Sequence, residues 1–71
     1  MSELKVSALA LQEGQRAVIV DCEDKLLSDL GFAVGANIKI LKITHKGRIL
    51  NVNGRRFALS LDLCEKIKVK K

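Results

Sequence analysis

The fold this 71-residue sequence predicts is a mainly β, five-stranded small barrel with one short helix. Three observations predict it. Apolar side chains alternate with polar ones in a series of short runs, the period of two that half-buried strands require. Tight turns separate the runs at His45-Lys46-Gly47 and at Asn53-Gly54, the latter the strongest short-range hairpin signal in the chain. One segment only, residues 25–30, carries apolar side chains at helical spacing.

Taken in order, Leu4, Val6, Leu9 and Leu11 predict an extended lead-in that turns near Glu13-Gly14. Residues 16–20, Arg-Ala-Val-Ile-Val, form the first strand, and a run so continuously apolar expects cover on both faces. The acidic cluster at 21–24 stands just before the helix, where carboxylates suit the positive end of the helix dipole and Asp is a good N-cap. Leu26, Leu27 and Leu30 fall on one helical face, and Gly31 supplies the left-handed residue that stops the helix. A helix this short does not persist alone, so it is expected to lie against the sheet and plug one end of the barrel.

In residues 36–44 the apolar phase slips: Ile38 and Ile40 point one way, Leu41 and Ile43 the other, as a β-bulge or sharp bend produces. Residues 48–52 form the next strand. Residues 55–61 follow the hairpin turn, with Phe57, Leu59 and Leu61 inward and Arg56, Ala58 and Ser60 outward. Residues 62–65 make a turn or single helical turn, and 66–70 alternate again with Ile67 and Val69 inward. Five short, bent strands close into an SH3-like barrel more readily than they stack as a sandwich. The chain, 1–71, reads as a single domain.

Composition narrows the function classes. At 48% hydrophobic the chain is not disordered in character, and its only aromatics are Phe32 and Phe57, both where a core wants them. That argues against a stacking platform for single-stranded nucleic acid, which needs several aromatics. Net charge is +5 but unevenly spread. Residues 1–38 hold three basic and six acidic side chains, a net of −3; residues 39–71 hold ten basic and two acidic, a net of +8. The second half therefore presents Lys39, Lys42, Lys46, Arg48, Arg55, Arg56, Lys66, Lys68, Lys70 and Lys71. Such a potential attracts phosphate, an anionic membrane surface or an acidic protein. Most of these cations alternate with apolar residues, so their simpler role is the wet face of strands, where lysine also guards edges against aggregation. An exposed strand such as 66–70 could pair with a second copy in a weak homo-oligomer.

Cys22 and Cys64 are too few and too far apart for a disulfide scaffold, and no run resembles a signal peptide or a membrane span. Free thiols in a reducing cytoplasm are the expectation. The weak metal candidates are His45, the only histidine, and Cys22 among its acids. Neither has the companions that a three- or four-ligand site requires, and capping accounts for the acids without metal. Cys64 reads as a small buried hydrophobe. A Cys22–Cys64–His45 site would need the barrel to bring the three together. No cofactor is expected, and no catalytic residues: no phosphate-binding glycine loop, nucleophile elbow or nucleophile–base spacing occurs. Arg55-Arg56 could together grip a carboxylate or phosphate, or merely solubilise the hairpin.

Three stretches resemble one family over roughly residues 7–70. They are LALQEGQRAVIV; LSDLGFAVGANIKIL, with its leucine-rich helix, Leu-Gly and later Gly; and NVNGRRFALSLDLCEKIKV, with its glycine turn, Ala-Leu strand and closing Ile-x-Val. The chain resembles FeoA, the small cytosolic partner of the bacterial ferrous iron transporter, whose barrel also forms the C-terminal domain of iron-dependent repressors. With no DNA-binding segment ahead of the match, the stand-alone form fits better. The chain departs from the family pattern in two places: Val34 stands where a Pro often precedes the glycine at Gly35, and the loop at 44–47 is short.

The resemblance implies a non-enzymatic accessory protein that binds the GTPase-bearing cytosolic part of a membrane ferrous iron transporter. The contact surface expected from that is Leu30, Gly31, Phe32, Val34 and Gly35, with Arg55 and Arg56 beside it. The alternative is a small barrel that binds a transition metal ion or nucleic acid.

Overall fold

The computed structural model describes residues 6–70. Leu4 of the expected lead-in and Lys71 of the basic set lie outside the described residues. The elements are β1 (Val6–Ser7), a 3₁₀ turn (Ala8–Ala10), β2 (Arg16–Cys22), α1 (Lys25–Asp29), β3 (Asn37–Ile43), β4 (Gly47–Val52), β5 (Arg55–Ser60), α2 (Leu61–Glu65) and β6 (Ile67–Lys70). The strands form one antiparallel sheet in the order β1-β6-β2-β3-β4-β5.

The sheet curls around a single apolar core. Ile19, Ile38, Ile40, Leu50, Val52, Leu59, Ile67 and Val69 supply its walls, and Leu27, Phe32 and Cys64 fill it from the connections. Two bulges bend the sheet. One falls at Leu41, between Ile40↔Leu50 and Lys42↔Ile49, where the slip of apolar phase predicts it. The other falls at Val20 against β6, inside the continuous apolar run of β2. The two edge strands, β1 and β5, are bridged by α2, which packs on β5 and β4 on one side and on the 3₁₀ turn on the other.

Caps and turns follow local chemistry. Asp24 caps α1, its Oδ1 accepting from Leu26 N at 2.8 Å and Leu27 N at 3.2 Å, and its Oδ2 lies 3.6 Å from Lys66 Nζ. Gly31, at φ +116°, ends the helix. Asn53 at φ 52° and Gly54 at φ 81° make the type I′ hairpin turn, and the Asn51 side chain accepts from Gly54 N at 3.1 Å.

Four expectations are corrected. Among the described residues the sheet has six strands rather than five, because the lead-in is not simply extended. Its two-residue β1 pairs with β6, and Ser7 then caps the 3₁₀ turn by accepting from Leu9 N at 3.1 Å. Among the described residues there are two short α-helices rather than one. Ser60 turns from strand to N-cap, accepting from Leu63 N at 3.4 Å, so Leu61 leaves β5 and stands exposed instead of continuing inward. The three leucines of α1 do not share a buried face. Leu27 alone is buried, because a five-residue helix offers the core one direction. Phe32 fills the neighbouring space, its ring edge-on to Phe57 with centroids 5.1 Å apart. Finally, Gly47 does more than close the turn, where Thr44 N donates to its carbonyl at 3.0 Å. It opens β4 opposite Ser60, buried where a Cβ would collide with the Leu59 carbonyl.

Candidate functional site

Among the described residues, the connection from β2 to β3 holds the most exposed large apolar side chains. With Leu27 inward, Leu26 and Leu30, one turn apart on α1, face solvent at 68% and 41% exposure. The chain then makes a type II turn from Ala33 to Ala36, closed by Ala36 N donating to Ala33 O at 3.0 Å, with Gly35 at φ +94°. Val34 stands at its tip, 68% exposed. The turn is anchored to β2, Gly35 N donating to Ile19 O at 2.8 Å and Ile19 N to Ala36 O at 2.9 Å. Apolar side chains are thus held out on backbone that is capped at one end and hydrogen-bonded to the sheet at the other.

Of the expected contact residues, Leu30, Val34 and Gly35 are on the surface and Gly31 is half-buried. Phe32 is not a contact residue: it is fully buried, because the core needs its ring beside Phe57. Arg55 and Arg56 are both exposed but do not act as one grip. Arg55 lies opposite the inward-facing Val52 and Arg56 opposite Asn51, so the two side chains leave opposite faces of the sheet.

On the outer face, register assembles something that residue spacing conceals. Arg16 pairs with Lys39, Lys39 with Asn51 and Asn51 with Arg56, one row across four strands. It borders a shallow cleft of about 720 Å³ that Asn37 and Asn53 also line, and among the described residues no carboxylate does. Arg16 and Lys39 came from the two halves of opposite net charge, so nothing in the linear sequence signals their meeting. Leu26 is a second contact candidate that the helical pattern assigned to the interior.

The thiols and the histidine are dispersed. His45 is exposed in the turn between β3 and β4. That turn is knitted by other groups: Thr44 Oγ1 donates to Gly47 O at 3.0 Å, and Arg48 Nη1 donates to Thr44 O at 2.9 Å and Gly47 O at 3.0 Å. Cys22 is half-buried, its Sγ donating to Asp24 O at 3.5 Å. Cys64 is fully buried; burial pushes its thiol pKa up, and the nearby Arg48 charge opposes this. Among the described residues no three His, Cys, Asp or Glu side chains gather to hold a metal, so Cys22, Cys64 and His45 are not brought together. Nor is any helix among them long and apolar enough to cross a membrane.

Comparison with known proteins places this architecture. An iron uptake regulatory protein, FeoA, is 25% identical with a TM-score of 0.85, over 94% of this chain and 97% of its own. FeoA of Stenotrophomonas maltophilia, solved with zinc, is described as a prokaryotic SH3 domain protein and a candidate ferrous iron transport activating factor. It is 20% identical, TM-score 0.84, over 92% of this chain and 89% of its own. A manganese-dependent transcriptional repressor shares the fold at 10% identity and TM-score 0.87, over all of this chain and 44% of its own length. No curated protein matches the chain in sequence. The family model described as the FeoA domain matches residues 7–71, and on that match this SH3-like chain belongs to the FeoA family.

Proposed function

We propose that this protein is a non-enzymatic accessory component of a bacterial ferrous iron transport system, acting in the cytoplasm by binding the GTPase-bearing part of the transporter. Membership of the FeoA family supports the transport role, as does the transport-activating role suggested for the S. maltophilia protein. The observation that carries the binding role is the rigid apolar corner of Leu26, Leu30 and Val34. Apolar side chains held in water by a capped helix and an anchored turn are ready to be desolvated by a partner, at little entropic cost on this side of the interface.

The alternatives draw less support. Metal binding finds no three-ligand cluster among the described residues. Base stacking finds both phenylalanines packed in or against the core.

The test is a titration of the labelled protein with the soluble GTPase domain of the transporter. The expected result is saturable binding that Leu26→Asp with Val34→Asp weakens about tenfold or more, the scale of losing anchor side chains. Both side chains face solvent, so the variant should melt as the parent does. No binding by the parent at low salt, or equal binding by the variant, would falsify the proposal.

A further inference from the structure

We propose that the outer face of β2, β3, β4 and β5 is a docking surface for an acidic polypeptide segment. This deepens the reading that the protein works by binding a protein partner, and rests on it. The first observation is the row Arg16–Lys39–Asn51–Arg56, aligned by direct cross-strand pairing. The second is that Arg16 and Lys39 are like charges directly opposite one another, an arrangement that weakens a strand pair. Among the described residues the cleft has no carboxylate to offset it, and neither cation is in an ion pair. An incoming carboxylate would remove that repulsion as well as add attraction.

The dimensions suit an extended chain. Strands lie about 4.8 Å apart, so the row spans about 14 Å from Arg16 to Arg56. Same-face side chains of an extended peptide recur about every 6.7 Å, so acids at three alternate positions cover the row. The surrounding amides suit the same ligand. Asn51 commits its side-chain oxygen to Gly54 N at 3.1 Å, which leaves its NH₂ group free to donate. Asn37 and Asn53 line the same cleft. A polypeptide is favoured over a nucleic acid because the face offers no ring on which a base could stack: Phe32 is in the core and Phe57 packs against it. The apolar Leu41, which also lines the cleft, suits an apolar side chain between the acids.

The experiment titrates the ¹⁵N-labelled chain at about 50 mM salt, where surface charges are weakly screened, with a synthetic alternating Glu–Ser decapeptide and separately with a thymidine decamer. Amide shifts on adding the peptide should cluster at Arg16, Asn37, Lys39, Asn51, Asn53 and Arg56, and binding should weaken as salt rises. Arg16→Glu with Lys39→Glu should weaken it about tenfold or more, whereas Lys25→Glu with Lys46→Glu, the same change in net charge elsewhere, should leave it within about twofold. Arg16→Gln with Lys39→Gln, which removes both positive charges without adding carboxylates, carries the comparison if the reversal unfolds the chain. Shifts scattered over all the lysines, equal weakening by the two reversals, or tighter binding of the decamer overturns the proposal. Failure of the peptide with retained binding of the transporter's GTPase domain refutes this surface alone. Loss of both refutes the protein-binding role.

Discussion

Replacing Gly47 with alanine puts the close approach of β4 and β5 to a quantitative test. A Cβ at this position would overlap the Leu59 carbonyl oxygen and lie 3.0 Å from the Leu59 carbonyl carbon and 3.1 Å from Ser60 Cα. All three are backbone atoms, so no side chain can swing aside. The protein has two responses. It can push β5 outward by about 1 Å, the kind of overpacking that costs about 1–3 kcal/mol. Or it can open the terminal Gly47–Ser60 pair, losing one or two hydrogen bonds of about 1 kcal/mol each, and disturb the Ser60 cap of α2, worth about 1 kcal/mol more. Either route comes to about 2 kcal/mol. For a domain of this size that lowers Tm by roughly 8–16 °C. Thermal melts followed by circular dichroism measure it, with Gly35→Asn as control. Gly35 has open space around it and a φ of +94°, which Asn tolerates better than most residues, so the control should cost about 1 kcal/mol or less. A Gly47→Ala variant that melts within about 2 °C of the parent would refute the steric argument, since 2 kcal/mol cannot be hidden in so small a domain.

Two other predictions concern stability. Val34→Pro places proline at the second position of the type II turn Ala33–Ala36, where its fixed φ belongs and no hydrogen bond from Val34 N is lost. The variant should gain about 0.4–1 kcal/mol by restricting the unfolded chain, read as a higher urea midpoint at unchanged slope, and a lower midpoint would show that the turn is misassigned. Cys64 should contribute an alkaline loss of stability. Its folded pKa lies above the ordinary 9.0, so the unfolded chain releases the proton first. The contribution is therefore full below pH 9 and is lost as pH climbs from the unfolded value through the folded one. Cys64→Ala should flatten the fall of the urea midpoint above that pH, whatever constant offset its cavity adds, and identical slopes in parent and variant would remove burial as the cause.

Local chemistry was legible where one short segment sufficed. Asp24 as cap, Gly31 as helix stop and Asn53-Gly54 as a type I′ turn each depend on a few neighbouring residues, and each stands where the pattern puts it. The bulge at Leu41 was legible because alternation on either side made its slip visible. The bulge at Val20 was not, since a run without alternation has no phase to slip. The second helix was legible as a single helical turn at 62–65, but alternation running on through Leu61 hid its cap at Ser60 and its start at Leu61. Leu26, Leu27 and Leu30 satisfy a helical wheel, yet only the fit of Phe32 beside Leu27 decides which of them the core admits.

The sequence by itself determined the mainly β class, the main strands and turns, the caps and the resemblance to the FeoA family. These depend on backbone preferences and on apolar periodicity, which neighbouring residues set. Only the tertiary structure decided what the molecule offers a partner. It withdrew Phe32, exposed Leu26, separated Arg55 from Arg56 and aligned Arg16, Lys39, Asn51 and Arg56 across four strands. The physical reason is that exposure and charge alignment are set by strand register and core volume. Both join residues far apart in the chain, and a bulge of one residue is enough to change which of them meet.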